Sequence, residues 1–177
     1  APGGGAARPG ISPRVGRNLR EERRRLSGTD AGEGPGLALT VVCGRDRLSY
    51  GVLSRLAKKT PSLLTVHGYV RDMPDLIQKS DCVVTKAGAS LTMEVLALRK
   101  PLIISTYIHG QELGNVRYVT RNGAGWFIQK PADIYRKLLR LAQDPSCAAR
   151  AAENARKLGV SGGAEAVAAY IMGEAPV

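Results

Sequence analysis

Between Leu37 and Met172 the sequence repeatedly changes its hydrophobic period. Short apolar runs at residues 37–43, 63–69, 82–85, 102–105 and 125–128 alternate with stretches at 50–59, 73–79, 91–98 and 115–121 whose apolar residues recur three and four positions apart. Strands buried on both faces need continuous apolar runs of this kind, and amphipathic stretches between them are what carry a chain from one parallel strand to the next. The pattern therefore predicts an α/β fold, a Rossmann-like parallel sheet flanked by helices with right-handed crossovers. Three more helical patterns, at 132–143, 146–158 and 164–172, follow the last strand. The folded domain is predicted over residues 37–175. Residues 1–36, rich in Gly, Pro, Ala and Arg, are predicted to be a disordered leader with at most a short basic helix near residues 19–26.

One junction carries chemistry. The run Asp81-Cys82-Val83-Val84-Thr85 stops at Lys86-Ala87-Gly88-Ala89-Ser90, and a helical pattern with Leu91, Val95, Leu96 and Leu98 on one face follows. Residues with almost no side chain at a helix start leave backbone N–H groups bare beside the positive end of the helix dipole, an arrangement that accepts a phosphate. Glu94, expected on the first turn, is placed to accept hydrogen bonds from a ribose diol. Lys100-Pro101 is expected to end the helix. Small residues after a strand also serve simply to let a helix pack close to its sheet, and that reading stands beside the phosphate one.

The chain carries a formal net charge of +11, to which residues 1–36 contribute seven arginines against four acidic residues. Such an excess suits anionic partners, and an anionic membrane surface is the expected one. Nucleic acid is not expected, because no aromatic-rich strand, zinc knuckle or helix-turn-helix pattern is present. No apolar run approaches the roughly 20 residues of a bilayer span, so membrane contact is expected to be peripheral. Cys43, Cys82 and Cys147 have no zinc or CxxC spacing and are read as reduced core thiols.

With these pieces placed, the chain resembles the C-terminal, nucleotide-sugar-binding half of B-type glycosyltransferases. The resemblance is strongest to the monogalactosyldiacylglycerol synthase family, with the peptidoglycan N-acetylglucosaminyltransferases and diacylglycerol glucosyltransferases as relatives. It rests on Val41-Val42-Cys43-Gly44-Arg45, His67-Gly68-Tyr69-Val70 with Met73, Asp81 through Gly88, Glu94, Pro101-Leu102-Ile103-Ile104, Gly110-Gln111-Glu112 followed by Gly114-Asn115-Val116, and Asn122-Gly123-Ala124-Gly125. Each block is weak, and their order and spacing together are specific.

The resemblance implies roles. Val70 matches the position whose backbone bonds uracil, with Tyr69 and Met73 as apolar neighbours. Gly88, Ala89, Ser90 and Leu91 match the diphosphate turn, and Glu94 the ribose carboxylate. Gln111 and Glu112 match the pair that reads sugar hydroxyls, Lys86 is a phosphate neighbour, and Asn115 caps the next helix. His109 and His67 are assigned no catalytic part, and Trp126 and Phe127 are expected to fill core.

The implied reaction is inverting transfer of a hexose from a UDP-sugar to diacylglycerol or another lipid. UDP-galactose is the expected donor, with no metal or other cofactor, at the plastid envelope or otherwise in the cytoplasm. The implied alternatives are a non-catalytic UDP-sugar-binding or partner-docking module of a split glycosyltransferase, and glucosyl or N-acetylglucosaminyl transfer. B-type enzymes place the general base and most of the acceptor site in an N-terminal domain. Residues 1–36 contain no such pattern, so the catalytic base is expected in an N-terminal half in cis or in trans. Gly32-Glu33-Gly34-Pro35-Gly36 resembles a remnant of that family's Gly-rich loop, joined directly to Leu37, which reads as a truncated or misassembled product. Ser90-Leu91-Thr92 and Ser105-Thr106 replace a more Gly-rich run and a more polar pair, leaving galactose against glucose open.

Overall fold

The computed structural model describes residues 37–160 and 163–174. The expectations placed on residues 1–36, including the short basic helix and the loop remnant, lie outside these. The described chain runs β1 (Leu39–Val42), α1 (Arg47–Ala57), β2 (Leu64–His67), α2 (Met73–Gln78), β3 (Val83–Lys86), α3 (Ala89–Ala97), β4 (Leu102–Thr106), α4 (Leu113–Arg121), β5 (Gly125–Phe127), α5 (Pro131–Gln143), α6 (Pro145–Lys157) and α7 (Gly163–Ile171). Every strand and helix expected after residue 36 is present, in order.

All strand pairs are parallel. The expected single sheet is, among the described residues, two ladders: β1 pairs with β2, and β3, β4 and β5 form a three-stranded sheet with β4 in the middle. That central strand is the heart of the core. Leu102, Ile103 and Ile104 have no exposed surface, and Val95 and Leu96 of α3, Val116 and Val119 of α4, and Ala151 and Ala155 of α6 are buried with them. Parallel strands are apolar on both faces because helices cover both. The β1–β2 ladder is far less covered, with Leu39 and Thr40 exposed and no buried residue in α1.

Local chemistry fixes the helix ends. Asp46 caps α1, accepting from the backbone N–H of Leu48 at 3.0 Å and of Ser49 at 3.1 Å, and Asp72 and Asp144 cap α2 and α6 in the same way. The stop of α3 differs from expectation. The helix closes before Lys100-Pro101, with Arg99 in the left-handed region at φ 57°. The Arg99 N–H donates to the Leu96 carbonyl at 2.9 Å and the Lys100 N–H to the Val95 carbonyl at 3.1 Å. This is the double hydrogen bond of a Schellman stop, and α4 makes the same one with glycine, Gly123 at φ 64°, in the left-handed place. Arginine there opposes its own Cβ.

Gly125 opens β5 for a different reason: a Cβ on it would lie 2.2 Å from the Leu102 carbonyl oxygen and 2.8 Å from a Val119 methyl group. Helix α4 and strand β4 therefore close on a backbone with no side chain. Burial pushes the Cys82 thiol up to about 12, so it stays protonated and inert at neutral pH.

Two substitutions test these statements by urea unfolding. Arg99→Gly relieves the left-handed strain and is expected to stabilise the chain by about 1 kcal/mol; no gain would contradict the assigned conformation. Gly125→Ala is expected to cost about 3 kcal/mol or more, because the obstacle is main chain, and a cost below about 1 kcal/mol would show that β4 and β5 are not so closely apposed.

Candidate functional site

Helix α3 begins at Ala89, two residues earlier than expected, so the small residues form its first turn and Gly88 is the N-cap. Three consequences follow. The N–H groups of Ala89, Ser90 and Leu91 precede the first intrahelical bond, which the Thr92 N–H makes to the Gly88 carbonyl at 3.0 Å. No side chain caps this end, and no acidic residue occupies the first turn, so among the described residues those donors have no competing acceptor. Ala89 and Ser90 are exposed while Ala87 is fully buried: the bend is anchored inward at one residue and open at the next two. Glu94 falls in the second turn rather than the first. It is half-buried, and its carboxylate has no hydrogen-bonding partner among the described residues.

Three contacts hold the bend. The register between β3 and β4 shifts after Thr85, where β4 carries an extra residue, Ser105, whose hydroxyl donates to the Thr85 carbonyl at 3.2 Å. Such an irregularity turns a strand end away from the ladder. Asn115 then reaches across from α4 and donates its amide to the Ala87 carbonyl at 2.8 Å. This corrects the capping role expected of Asn115: α4 starts at Leu113, and Asn115 lies inside its first turn, clamping the turn of the neighbouring unit.

The third contact is an ion pair. The Lys86 Nζ lies 2.9 Å from Glu112 Oε1, and the Ile108 N–H donates to the other carboxylate oxygen at 2.8 Å. The pair sits over the N-cap, since a Cβ on Gly88 would be 3.5 Å from Lys86 Nζ and 3.7 Å from Glu112 Oε1. A cation is thus held beside the uncapped N–H groups. Glu112 is almost wholly buried and Lys86 is about half exposed. The Lys86 ammonium, and after it the Ile108 N–H, hold the Glu112 carboxyl below its ordinary value.

Of the residues expected at the site, Lys86, Gly88 and Glu112 meet around the start of α3. Gln111 is exposed on the preceding turn, so the two members of the expected sugar-reading pair occupy different environments.

Val70 belongs to a second feature, the loop after β2. Beside it the loops after β1 and β2 meet, with the Gly44 N–H donating to the Gly68 carbonyl at 3.1 Å. They enclose a recess of about 350 Å³ lined by Gly44, Arg45, Asp46, Arg47, Gly68 and Tyr69. The Arg45 guanidinium stands 5.4 Å from the centre of the exposed Tyr69 ring, a flat cationic and aromatic pair that suits a planar ligand. Arg45 was legible only as a member of the Val41–Arg45 block. Its partnership with Tyr69 needs the parallel register that sets the two strand ends side by side.

Three further aromatic residues pack together or against a cation: Tyr107 lies 5.6 Å from Phe127 and 4.6 Å from His109, and Lys137 stacks 3.6 Å from the Trp126 ring.

Residues 19–167 match the glycosyltransferase family 28 C-terminal domain. Over 96 residues the chain is 38% identical to the chloroplastic monogalactosyldiacylglycerol synthase of Spinacia oleracea, which covers 54% of this chain and 18% of that protein. It is 39% identical over 103 residues to monogalactosyldiacylglycerol synthase 1 of Arabidopsis thaliana, covering 58% and 19%. To the processive diacylglycerol beta-glucosyltransferase of Bacillus cereus strain AH187 it is 34% identical over 110 residues, covering 62% and 28%. The chain thus matches less than a third of the length of each relative. Among solved structures it resembles WaaG, a glycosyltransferase involved in lipopolysaccharide biosynthesis, with a TM-score of 0.52 at 18% identity over 79% of this chain and 46% of that one. The glycotransferase of kitacinnamycin gives 0.55 at 19% identity over 84% and 48%. These likenesses establish the fold, that of one half of a B-type glycosyltransferase.

The ion pair makes a prediction with a definite sign. A carboxylate whose value is depressed on folding adds stability above its ordinary value and loses it as pH falls through the lowered one. The stability gap between the native chain and Lys86→Met, measured by urea unfolding, should therefore be largest at neutral pH and close as pH falls below the ordinary carboxylate range. A gap that does not change with pH would show that Lys86 does not support Glu112.

Proposed function

The chain belongs to the glycosyltransferase family 28 C-terminal domain family, and from that premise we propose that it is the donor-binding half of an inverting hexosyltransferase that moves galactose from UDP-galactose to diacylglycerol. The observation that carries the proposal is the uncapped start of α3, where three N–H groups lie ahead of the first intrahelical bond beside a positioned lysine. A diphosphate matches that set: the N–H groups donate to its oxygens, and the ammonium neutralises the charge that grows on it as the glycosidic bond breaks. The Arg45–Tyr69 recess and the backbone of Val70 receive uracil, and Glu94, half-buried with an unengaged carboxylate, receives the ribose hydroxyls.

Sugar recognition falls to Gln111 and Glu112, and here Lys86 has two possible partners. When it turns to the diphosphate, Glu112 keeps the Ile108 N–H and regains acceptor capacity for hexose hydroxyls, so phosphate and sugar are engaged together. The acceptor hydroxyl and its general base lie on an N-terminal half, across the cleft from this site. That the plant relatives are chloroplastic and act on a membrane lipid supports a peripheral site on the plastid envelope, to which the chain's basic charge is suited. Galactose is preferred over glucose because the plant relatives share slightly more identity than the bacterial glucosyltransferase.

Calorimetric titration with UDP, UDP-galactose and UDP-glucose tests the reading. Ala89→Pro deletes one helix-start N–H at the position where proline suits the helix, so the fold should persist while affinity for all three ligands falls about 10-fold or more, as loss of a hydrogen bond to a charged group requires. Glu94→Ala should also weaken all three alike, whereas Gln111→Ala should alter the ratio between the two sugars. Unchanged UDP binding in Ala89→Pro would remove the diphosphate from the start of α3.

A further inference from the structure

We propose that Cys147 and Lys137 form a reversible, oxidant-driven crosslink between α6 and α5. A peroxide converts the thiol to a sulfenic acid, and the lysine amine then closes on the sulfur to give a sulfenamide. The inference rests on residues that take no part in the donor reading and stands or falls apart from it.

The geometry brings the two reacting atoms together. Lys137 Nζ lies 3.4 Å from Cys147 Sγ and 3.6 Å from the centre of the Trp126 ring. None of the ion pairs among the described residues includes Lys137. Its partners are an aromatic face, which attracts the cation without accepting its proton, and a thiol.

The sulfur is placed by the corner between the helices. Cys147, read from sequence as a core thiol, stands in the first turn of α6 and is half-buried, as is Lys137. Asp144 alone separates α5 from α6. Its carboxylate accepts from the Ser146 N–H at 3.0 Å and from the Ser146 hydroxyl at 2.6 Å, and its carbonyl accepts from the Cys147 N–H at 3.3 Å. The cap therefore fixes the turn that carries the sulfur, while the ring of Trp126 holds the nitrogen opposite.

The other two thiols differ. Burial, and after it Asp46, raises the Cys43 thiol. Cys82, raised mainly by burial, turns its sulfur to the Val83 carbonyl at 3.9 Å. Reactive cysteines are reached by solvent and stand beside a cation, and among the described residues Cys147 is the one hydrogen-bonded to a cation.

The steps balance with one peroxide. The Cys147 thiolate attacks a peroxide oxygen and the O–O bond breaks; sulfur is oxidised to the sulfenic acid and the other oxygen leaves as water. Lys137 Nζ then releases a proton to solvent and attacks Sγ. The S–O bond breaks and the hydroxyl leaves as water with a further proton from the nitrogen, so an S–N bond remains and the protein has lost two hydrogens. A small thiol reverses this by attacking the sulfur and expelling the amine; a second thiol then frees Cys147 as a disulfide of the two small thiols. The link joins residues ten positions apart and braces α6, whose Ala155 shares the core with Val95 and Leu96 of α3.

Hydrogen peroxide added to the 177-residue protein, followed by trypsin and mass spectrometry, tests the proposal. The peptides 137–140 and 141–150 should appear joined, lighter by two hydrogens than their sum. Emission from Trp126, the one tryptophan of the sequence, should change over the same time course as the cation leaves its ring, and dithiothreitol should reverse both. Lys137→Arg keeps a cation for Trp126 but offers no amine, because a guanidinium stays charged. With circular dichroism unchanged, it should lower the crosslink at least about 10-fold and leave the Cys147 sulfenic acid for capture by dimedone. Sulfenic acid captured equally from the native chain and Lys137→Arg, a disulfide from Cys147 to Cys43 or Cys82 in place of the joined peptides, or a Cys147 thiol that peroxide leaves untouched would each overturn the proposal.

Discussion

The start of α3 is the constraint around which the rest of the site is arranged. A helix end without a side-chain cap leaves three donors with no partner inside the protein. Gly88, which has no side chain to cap with, keeps it uncapped. The surrounding structure stabilises the bend instead of satisfying it. Ala87 is sealed in the core, Asn115 ties its carbonyl to α4, and Lys86 is held overhead by a buried carboxylate. Positive potential from N–H groups, dipole and ammonium is thereby concentrated at one exposed spot, at the C-terminal end of a parallel strand where ligands of such sheets bind.

Much of the fold was legible because parallel architecture writes itself plainly. Buried strands such as 102–104 leave no polar residue to confuse the period, and the crossovers between them have the length of a helix. Boundaries were read less well where backbone outweighs side chain. Ala89 and Ser90 looked like turn and are helix, and Arg99, which has poor credentials for a left-handed residue, ends α3 ahead of the proline that seemed to. The division into two ladders is visible only in the pairing of the described strands.

The site was legible in part. Small residues after a strand announce a bare helix start by their lack of side chains. The Lys86–Glu112 pair spans 26 positions, and nothing local in the sequence links the two residues. Asn115 was assigned to its own helix because capping is what asparagine near a helix start most often does, yet the tertiary fold gave it the carbonyl of Ala87. The family resemblance named a neighbourhood, and the geometry supplied what each side chain touches there.

The central claim is that the N–H groups at the start of α3 bind the diphosphate of a nucleotide sugar. Amide proton and nitrogen chemical shifts recorded during titration with UDP address it most directly. The account predicts that Ala89, Ser90 and Leu91 move downfield together and saturate at one affinity, as donors to a charged oxygen do. Saturable shifts confined to residues elsewhere, with those three amides unmoved, would contradict it.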